Sequence, residues 1–306
     1  MSWPKISIVT PSYNQGQFLE ATLQSVFDQK YPNLEYIVMD GGSTDNSVSL
    51  LKKFAKIAKT KKINFTWQSK KDKGQTDAIN AGLKIAIGTI LAYLNSDDTY
   101  EPNTLKTVAQ FFQDHPEENF LYGKARLIDA DGKRIGVYNS SQATLQSLHG
   151  GCVISQPTTF WTRKLYSKIG PFDDSFHFTM DYEYWCRVIR KYPMNFIPEF
   201  FANARIHADA KTSAQTSKLY ADAIRVQKKY FPSVHHDWIF TYVDGKVHGL
   251  KDGTWYQEIY YWSHLFFLSF VLQLQWNHHL PTAPMVRQYR LWATEALSRF
   301  TKRISV

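Results

Sequence analysis

Three short polar segments near the start of the chain carry side chains able to do chemistry. Asn95-Ser96-Asp97-Asp98 offers hard oxygen ligands directly after an apolar run, a donor set that suits Mg²⁺ or Mn²⁺. By itself the segment fits a helix cap or a solvated loop equally well. Asp40-Gly41-Gly42-Ser43-Thr44-Asp45 follows another apolar run. Its leading Asp can accept from a base N–H or a ribose hydroxyl, and two glycines let the backbone approach a ligand closely. A glycine turn with a helix cap is the plainer alternative, and capping is the role expected of Ser43 and Asp45. Lys73-Gly74-Gln75-Thr76-Asp77 supplies a cation for a diphosphate. Its Asp77 can bond a nucleoside, orient a basic neighbour, or simply match the dipole of a first helical turn. The chain has no Gly-Lys-Ser/Thr phosphate loop and no Gly-x-Gly-x-x-Gly fingerprint at these places.

The elements that must hold these segments follow from periodicity. Ile6–Thr10, Leu34–Met39, Ile63–Trp67 and Ile90–Leu94 are short apolar, β-prone runs. Between them, Phe18, Leu19, Thr22, Leu23, Val26 and Phe27 share one helical face. A second helix runs through Leu50, Leu51 and Phe54, and a third through Ala78, Leu83 and Ile87. Strands alternating with helices predict a parallel sheet with right-handed crossovers. Ligands bind beyond the carboxyl ends of such strands, and three of these ends carry polar residues: Thr10–Asn14, Asp40–Asp45 and Asn95–Asp98. After Glu101 the pattern predicts a helix over Asn103–Asp114 and a hairpin of Leu121–Ile128 and Arg134–Val137. Loop and strand follow over Gly150–Trp161, then a helix over Asp181–Tyr192 and irregular strands over Asn195–Ile206. From Ser213 the chain reads as mainly helical, over Leu219–Tyr230, Trp255–Trp276 and Val286–Phe300.

Composition narrows the partners. With 43% hydrophobic and 21% charged residues among 306, the chain is globular rather than disordered. A formal charge of +9 favours nucleic acid, an anionic membrane surface or phosphorylated small molecules. Basic residues gather in Lys52–Lys73 and at Arg287, Arg290, Arg299, Lys302 and Arg303 without a nucleic-acid motif, so no nucleic-acid partner is expected. The 15% aromatic content suits carbohydrate or amphipathic surfaces, or simply a larger core. Cys152 and Cys186 lack metal-type spacing and are too few for a disulfide framework, which points to a reducing cytoplasm. No apolar leader follows Met1-Ser2-Trp3-Pro4-Lys5, so no signal peptide is expected. Ile259–Val271, even extended to Trp276, falls short of the ~20 apolar residues of a spanning helix; lying on a membrane surface is the alternative.

Together, Val9-Thr10-Pro11-Ser12-Tyr13-Asn14, Asp40–Asp45, Lys73-Gly74 with Asp77-Ala78-Ile79-Asn80-Ala81-Gly82, and Leu94–Asp98 resemble, in order and interval, the family 2 inverting glycosyltransferases of GT-A fold. The resemblance is dense up to Asp98 and looser beyond. It implies an α/β fold, a Rossmann-like mixed sheet flanked by helices, with a helical C-terminal extension. Residues 1–100 would form the nucleotide-sugar-binding half, 101–212 the acceptor-binding half of the same domain, and 213–306 the extension. Thr10, Pro11, Ser12, Tyr13, Asp40, Lys73, Asp77, Ser96 and Asp97 would bind the nucleotide sugar. Asp97 matches the second acid of the family's Asp-x-Asp metal motif. Asn95 replaces the first, and a carboxamide is the poorer cation ligand, so Asp97 would carry most of the coordination.

The resemblance extends to three later segments. In Met180-Asp181-Tyr182-Glu183, Asp181 matches the family's general base, with an N-cap as its other reading. Its usual acidic predecessor is Met180 here, and the competing Glu183 lies two residues along, facing elsewhere. Gln156-Pro157-Thr158-Thr159-Phe160-Trp161 resembles the border of the sugar pocket, so Gln156 and Trp161 would touch donor sugar or acceptor; core packing is the other reading of Trp161. Arg205-Ile206-His207, followed by Lys211-Thr212-Ser213, resembles an Arg-x-His loop, making His207 a metal ligand or a donor to phosphate.

The activity implied is inverting transfer, dependent on Mn²⁺ or Mg²⁺, from a nucleotide diphosphate sugar to a hydroxyl acceptor. UDP is the usual carrier, the acceptor is carbohydrate or lipid-linked, and the setting is cell-surface polysaccharide or glycolipid synthesis. A nucleotidyltransferase would need a basic Gly-rich loop after strand one, which Thr10–Gly16 lacks. A catalytically weakened sugar-nucleotide-binding or membrane-scaffold protein has Asn95 and Met180 in its favour. The aromatic, basic C-terminal helices (Tyr260, Tyr261, Trp262, Phe266, Phe267, Phe270) are expected to pack against the catalytic part or a second subunit, which leaves a homodimer open. Their alternative is a peripheral seat on the cytoplasmic leaflet.

Overall fold

The computed structural model describes residues 3–208, 216–251 and 253–304. The chain divides into a first compact unit, within Met1–Leu148 and Cys152–Ala210, and a second, within His149–Gly151 and Lys211–Val306.

Among the described residues, nine strands form one sheet in the first unit, in the order β3-β2-β1-β4-β8-β6-β9-β5 with β7 on β6. Strands β1 (Ile6–Ser12), β2 (Leu34–Asp40), β3 (Asn64–Ser69) and β4 (Ile90–Tyr93) run parallel. They are joined by α1 (Gly16–Phe27), α2 (Ser47–Lys61) and α3 (Gln75–Ile85). Every residue of β1, β2 and β4 is buried, as the continuous apolar runs require of strands covered on both faces. Edge strand β3 instead alternates exposed and half-buried positions. The face predicted for α1 is the face it buries.

The second half continues the same sheet with mixed polarity. β5 (Thr99–Tyr100), α4 (Thr104–Asp114), β6 (Phe120–Ile128) and β7 (Arg134–Val137) come first. They are followed by α5 (Leu145–Gly150), β8 (Thr159–Thr162), α6 (Arg163–Ile169), α7 (Met180–Ile189) and β9 (Asn195–Arg205). β8 lies antiparallel between β4 and β6, and β9 lies parallel to β6. The predicted hairpin is present as β6–β7, whereas the two-residue strand β5 and short helices α5 and α6 are too brief to leave a periodic signature.

Two cores cover the sheet. Aliphatic residues of β1, β2 and β4 pack on α1 and α2 with Phe27 and Phe54. A second, aromatic cluster brings together Trp161, Tyr93, Phe120, Phe172, Tyr184 and Trp185, with ring centroids 4.3–6.4 Å apart. Edge-to-face pairs of this kind add about 1 kcal/mol each to the burial itself. Much of the aromatic content is therefore core.

The second unit is helical: α8 (Thr216–Tyr230), α9 (His236–Val247), α10 (Trp255–Asn277) and α11 (Ala283–Ile304). The sequence signals three of these; α9 is weakly amphipathic and escaped periodicity. His235 caps α9, its ring accepting from Asp237 N–H. Burial, the adjacent His236 and the nearby His149 lower its pKa from 6.5 to about 4, against the opposing pull of Asp237. An unfolded chain takes up this proton near pH 6.5, the folded unit only near pH 4. Stability of the second unit should therefore fall as pH drops through that window, by on the order of 2 kcal/mol after allowance for solvent screening. Calorimetric melting of the full chain between about pH 7 and about pH 4 checks this; a His235→Asn variant should show a flatter pH dependence.

Candidate active site

β4 ends at Tyr93 and the chain turns at once, Asp98 N–H donating to the Asn95 carbonyl at 3.2 Å. Thr22 of α1 holds this turn from behind, sharing its hydroxyl proton between the carbonyls of Ser96 (2.9 Å) and Asp98 (2.8 Å). Thr22 is fully buried, so without it these carbonyls would lack a partner. From the other side, the end of β9 closes on the turn. Arg205 donates its backbone N–H to Asp98 Oδ1 (2.9 Å), its Nε–H to the Asp97 carbonyl (2.8 Å) and Nη1–H to the carbonyls of Asp129 and Ala130 (both 2.9 Å). Its guanidinium lies 4.9 Å from the centre of the Phe18 ring.

Two residues beyond, His207 Nε2 lies 3.1 Å from Asp97 Oδ2. The imidazole is buried against Phe18, ring centroids 4.5 Å apart, and its Nδ1 has no partner among the described residues. Asp97 keeps 21% of its side chain open. One carboxylate oxygen and one imidazole nitrogen suit Mn²⁺, with the remaining positions left to phosphate oxygens and water. The Lys211–Ser213 stretch after His207 lies outside the described residues.

Asn95 does not face that pair as a ligand. Its carbonyl accepts from Gln75 Nε2 (2.8 Å), and its amide donates to Gln156 Oε1 (3.1 Å) and, at 3.4 Å, to Asp98 Oδ2. Gln156 Nε2 passes the chain on to the Tyr93 carbonyl (2.8 Å). Burial and the adjacent Asp97 raise the Asp98 carboxyl well above the usual range, against the hydrogen bonds from Arg205 N–H and Asn95. A third acid at position 95 would add to that repulsion; a neutral amide avoids it.

The strand ends of β1 and β2 pair Ser12 with Asp40. Asp40 is buried and accepts from Gly42 N–H, Ser43 N–H, Ser43 Oγ and Ser69 Oγ at 2.5–3.2 Å. It pins the Gly41–Ser43 turn and has little acceptor capacity left for a nucleoside. Asp45 ties two helices together, accepting from Gly16 N–H (2.8 Å) and Ser47 N–H (2.9 Å). Ser12 Oγ is buried and has no partner among the described residues, while Tyr13 is exposed. Thr10 is fully buried and its hydroxyl is hydrogen-bonded to the Tyr36 hydroxyl at 3.0 Å, so this side chain faces the core. Pro11 and Ser96 are buried, and Ser96 contributes its carbonyl to the turn. Asp77 accepts from the Lys73 backbone N–H at 3.1 Å, and Lys73 is exposed. Asp72 was not anticipated: a Cβ on Gly41 would come within 2.9 Å of its carboxylate, so Gly41 makes room for it.

In the second half of the first unit, Asp181 occupies the first turn of α7. The N-cap is Thr179, not Asp181. The Asp181 charge reaches Tyr93, Tyr138 and Cys152, raising all three, though burial is the larger cause for each. Asp98 raises Tyr93 as well. Glu183 is fully buried and paired with Arg187 Nε at 2.9 Å, so it is not a competing base. Met180 is buried, where an acid would be costly. Trp161 is fully buried in the aromatic cluster, the core-packing alternative, rather than open to solvent.

Comparison with known proteins fits this geometry. The chain is 27% identical over 229 residues to an uncharacterized glycosyltransferase of Rickettsia prowazekii, covering 71% of this chain and 68% of the relative. It spans only 32–35% of the length of several other curated relatives that it matches. Among solved structures, residues 1–349 of Staphylococcus aureus TarS with UDP-GlcNAc match at 15% identity, TM-score 0.56, over 89% of this chain and 91% of that one. A mannosyltransferase of Pyrobaculum calidifontis with GDP-Man and Mn²⁺ matches at 18% identity, TM-score 0.58, over 96% and 85%. These likenesses identify the mixed sheet as the GT-A fold. The model of glycosyl transferase family 2 matches residues 7–178, more than half of the chain, and the protein belongs to that family.

Proposed function

We propose that this protein moves a sugar from a nucleotide diphosphate sugar, UDP-linked in this reading, to a hydroxyl of a carbohydrate or lipid-linked acceptor, with inversion at the anomeric carbon. The pairing of Asp97 Oδ2 with His207 Nε2 at 3.1 Å, beyond the end of β4, carries the reading. That is where the leaving diphosphate of a sugar nucleotide is expected in such a sheet. UDP-GlcNAc and GDP-Man in the structural neighbours support a sugar-nucleotide donor, and the Mn²⁺ in one supports a metal.

Asp181 acts as general base, taking the proton of the acceptor hydroxyl as it attacks opposite the leaving group. Ser12 and Tyr13 line the nucleoside end, with Asp40 and Asp77 shaping the loops around it. Exposed Lys73 offsets diphosphate charge. Gln156, tied to Asn95, fixes the floor beneath the sugar. Mn²⁺ or Mg²⁺ held by Asp97 and His207 would stabilise the departing diphosphate as a Lewis acid. Residues 1–100 serve the donor, 101–212 the acceptor, and 213–306 form an extension. Free Cys152 and Cys186 suit a reducing cytoplasm, and the pathway proposed is cell-surface polysaccharide or glycolipid synthesis.

Isothermal titration with UDP should show binding that strengthens with Mn²⁺, and Asp97→Ala should remove the Mn²⁺ dependence. The same variant should lower turnover by at least about 100-fold. Asn95→Ala should be milder, about tenfold, because it frees one end of a neutral hydrogen-bond chain. Asp181→Asn should leave UDP binding intact and reduce both donor hydrolysis and transfer by roughly 10²–10⁴-fold. If that variant transferred like the parent, the base would have to be another group. Mn²⁺-dependent UDP binding without turnover on any nucleotide sugar of a broad panel would instead indicate a non-catalytic sugar-nucleotide binder.

A further inference from the structure

Helix α10 buries polar groups beside apolar ones and leaves much of its aromatic surface outside. Its 23 residues contain a single charge, Glu258, and that residue is buried together with Tyr261, Leu265, Ser269 and Gln273. Outward it turns Trp255, Tyr256, Ile259, Tyr260, Phe266 and Phe267, the last 61% exposed. These positions share a broad stripe at helical spacing with no charged side chain on it. Leu280, 72% exposed, continues the surface into α11, where Val286, Leu291 and Leu297 are also exposed. Exposed large apolar side chains gathered in this number on one folded unit mark an interaction site.

Between α10 and α11 the same face opens into a cleft of about 540 Å³. Phe266, Phe270, Leu280, Val286 and Tyr289 wall it, and Arg290 is its one charged lining residue. An apolar cleft with a cation at its edge complements a hydrocarbon chain bearing an anionic head. Arg287 is exposed one residue before the turn that carries Tyr289 and Arg290. The stretch 211–306 carries twelve Lys and Arg against six Asp and Glu. A second copy placed symmetrically on this face would set these arginines near their own equivalents. An anionic lipid surface presents the opposite charge. No helix among the described residues is long and apolar enough to cross a membrane, so the face would lie on a bilayer rather than traverse it. Trp and Tyr at one end and Phe and Leu at the other are side chains suited to that boundary.

We propose that the exposed face of α10 and α11 docks on an anionic lipid bilayer, with Phe266, Phe267 and Leu280 entering the acyl boundary and Arg287 and Arg290 meeting lipid phosphates. This goes beyond the transfer activity and does not depend on it. Co-sedimentation of the full chain with phosphatidylcholine vesicles, with and without phosphatidylglycerol, tests it. Binding is expected only with phosphatidylglycerol and should weaken as salt rises. Arg287→Gln and Arg290→Gln should each lower the affinity about fivefold. The exposed Phe267→Asp should abolish pelleting while the far-UV circular dichroism and UDP binding stay as in the parent. Equal pelleting with both vesicle types, no pelleting at all, or unchanged binding in the three variants would overturn the proposal. So would a stable dimer in solution that Phe267→Asp splits while vesicles leave the parent unbound.

Discussion

The site depends on the turn after β4, held between a buried threonine and the end of β9. Backbone carbonyls of Ser96 and Asp98 are removed from water and given back one donor, Thr22 Oγ1. The Asp98 carboxylate is likewise buried and receives the Arg205 N–H. Leaving such groups unpaired costs about 1–3 kcal/mol each, so the turn has one satisfied conformation. In it, Asp97 projects toward His207. The element that brings His207 there is more than a hundred residues downstream, and Arg205 is the fastener at both the main chain and the side chain.

Charge balance explains the two departures from the family pattern. Around the β4 turn, Asp97 and Asp98 already repel each other, and Asp98 is buried. Asn95 contributes hydrogen bonds to Gln75 and Gln156 without a third negative charge. Met180 sits in the core at the start of α7, where the neighbouring Asp181 provides the acid. An acid at 95 would stand beside Asp97 and Asp98 and one at 180 would be buried, so a neutral side chain fits both positions.

Sequence and structure diverge most where a side chain's direction decides its role. Thr10 and Trp161 lie in segments that border the site, yet both turn inward. Alternation along β1 sends Thr10 to the Tyr36 hydroxyl, and the antiparallel pairing of β8 with β6 stacks Trp161 on Phe120. Asp40 stands at the right strand end but spends its oxygens on the Gly41–Ser43 turn and Ser69. Thr22 and Asp72 went unnoticed for the opposite reason. A threonine on an otherwise apolar helix face was the available signal for Thr22. Asp72 becomes a neighbour of Gly41 only through the pairing of β2 with β3.

What the sequence determined by itself is whatever depends on local spacing. Apolar runs with strand and helix periods placed β1 to β4 and α1 to α3, and polar residues at three strand ends marked where a ligand would sit. The order of motifs was enough to point to the family. Only the tertiary structure decided which of those polar groups face one another. Asp97 and His207 meet because β9 returns beside β6 and closes over the β4 turn; Glu183 is excluded as a base because its helix face buries it against Arg187. The exposed aromatic face of α10 belongs to the same category. Its composition fits a packed helix or one seated on a membrane, and only the structure shows that Glu258, Tyr261, Leu265, Ser269 and Gln273 turn inward while Trp255, Tyr256, Phe266 and Phe267 face out.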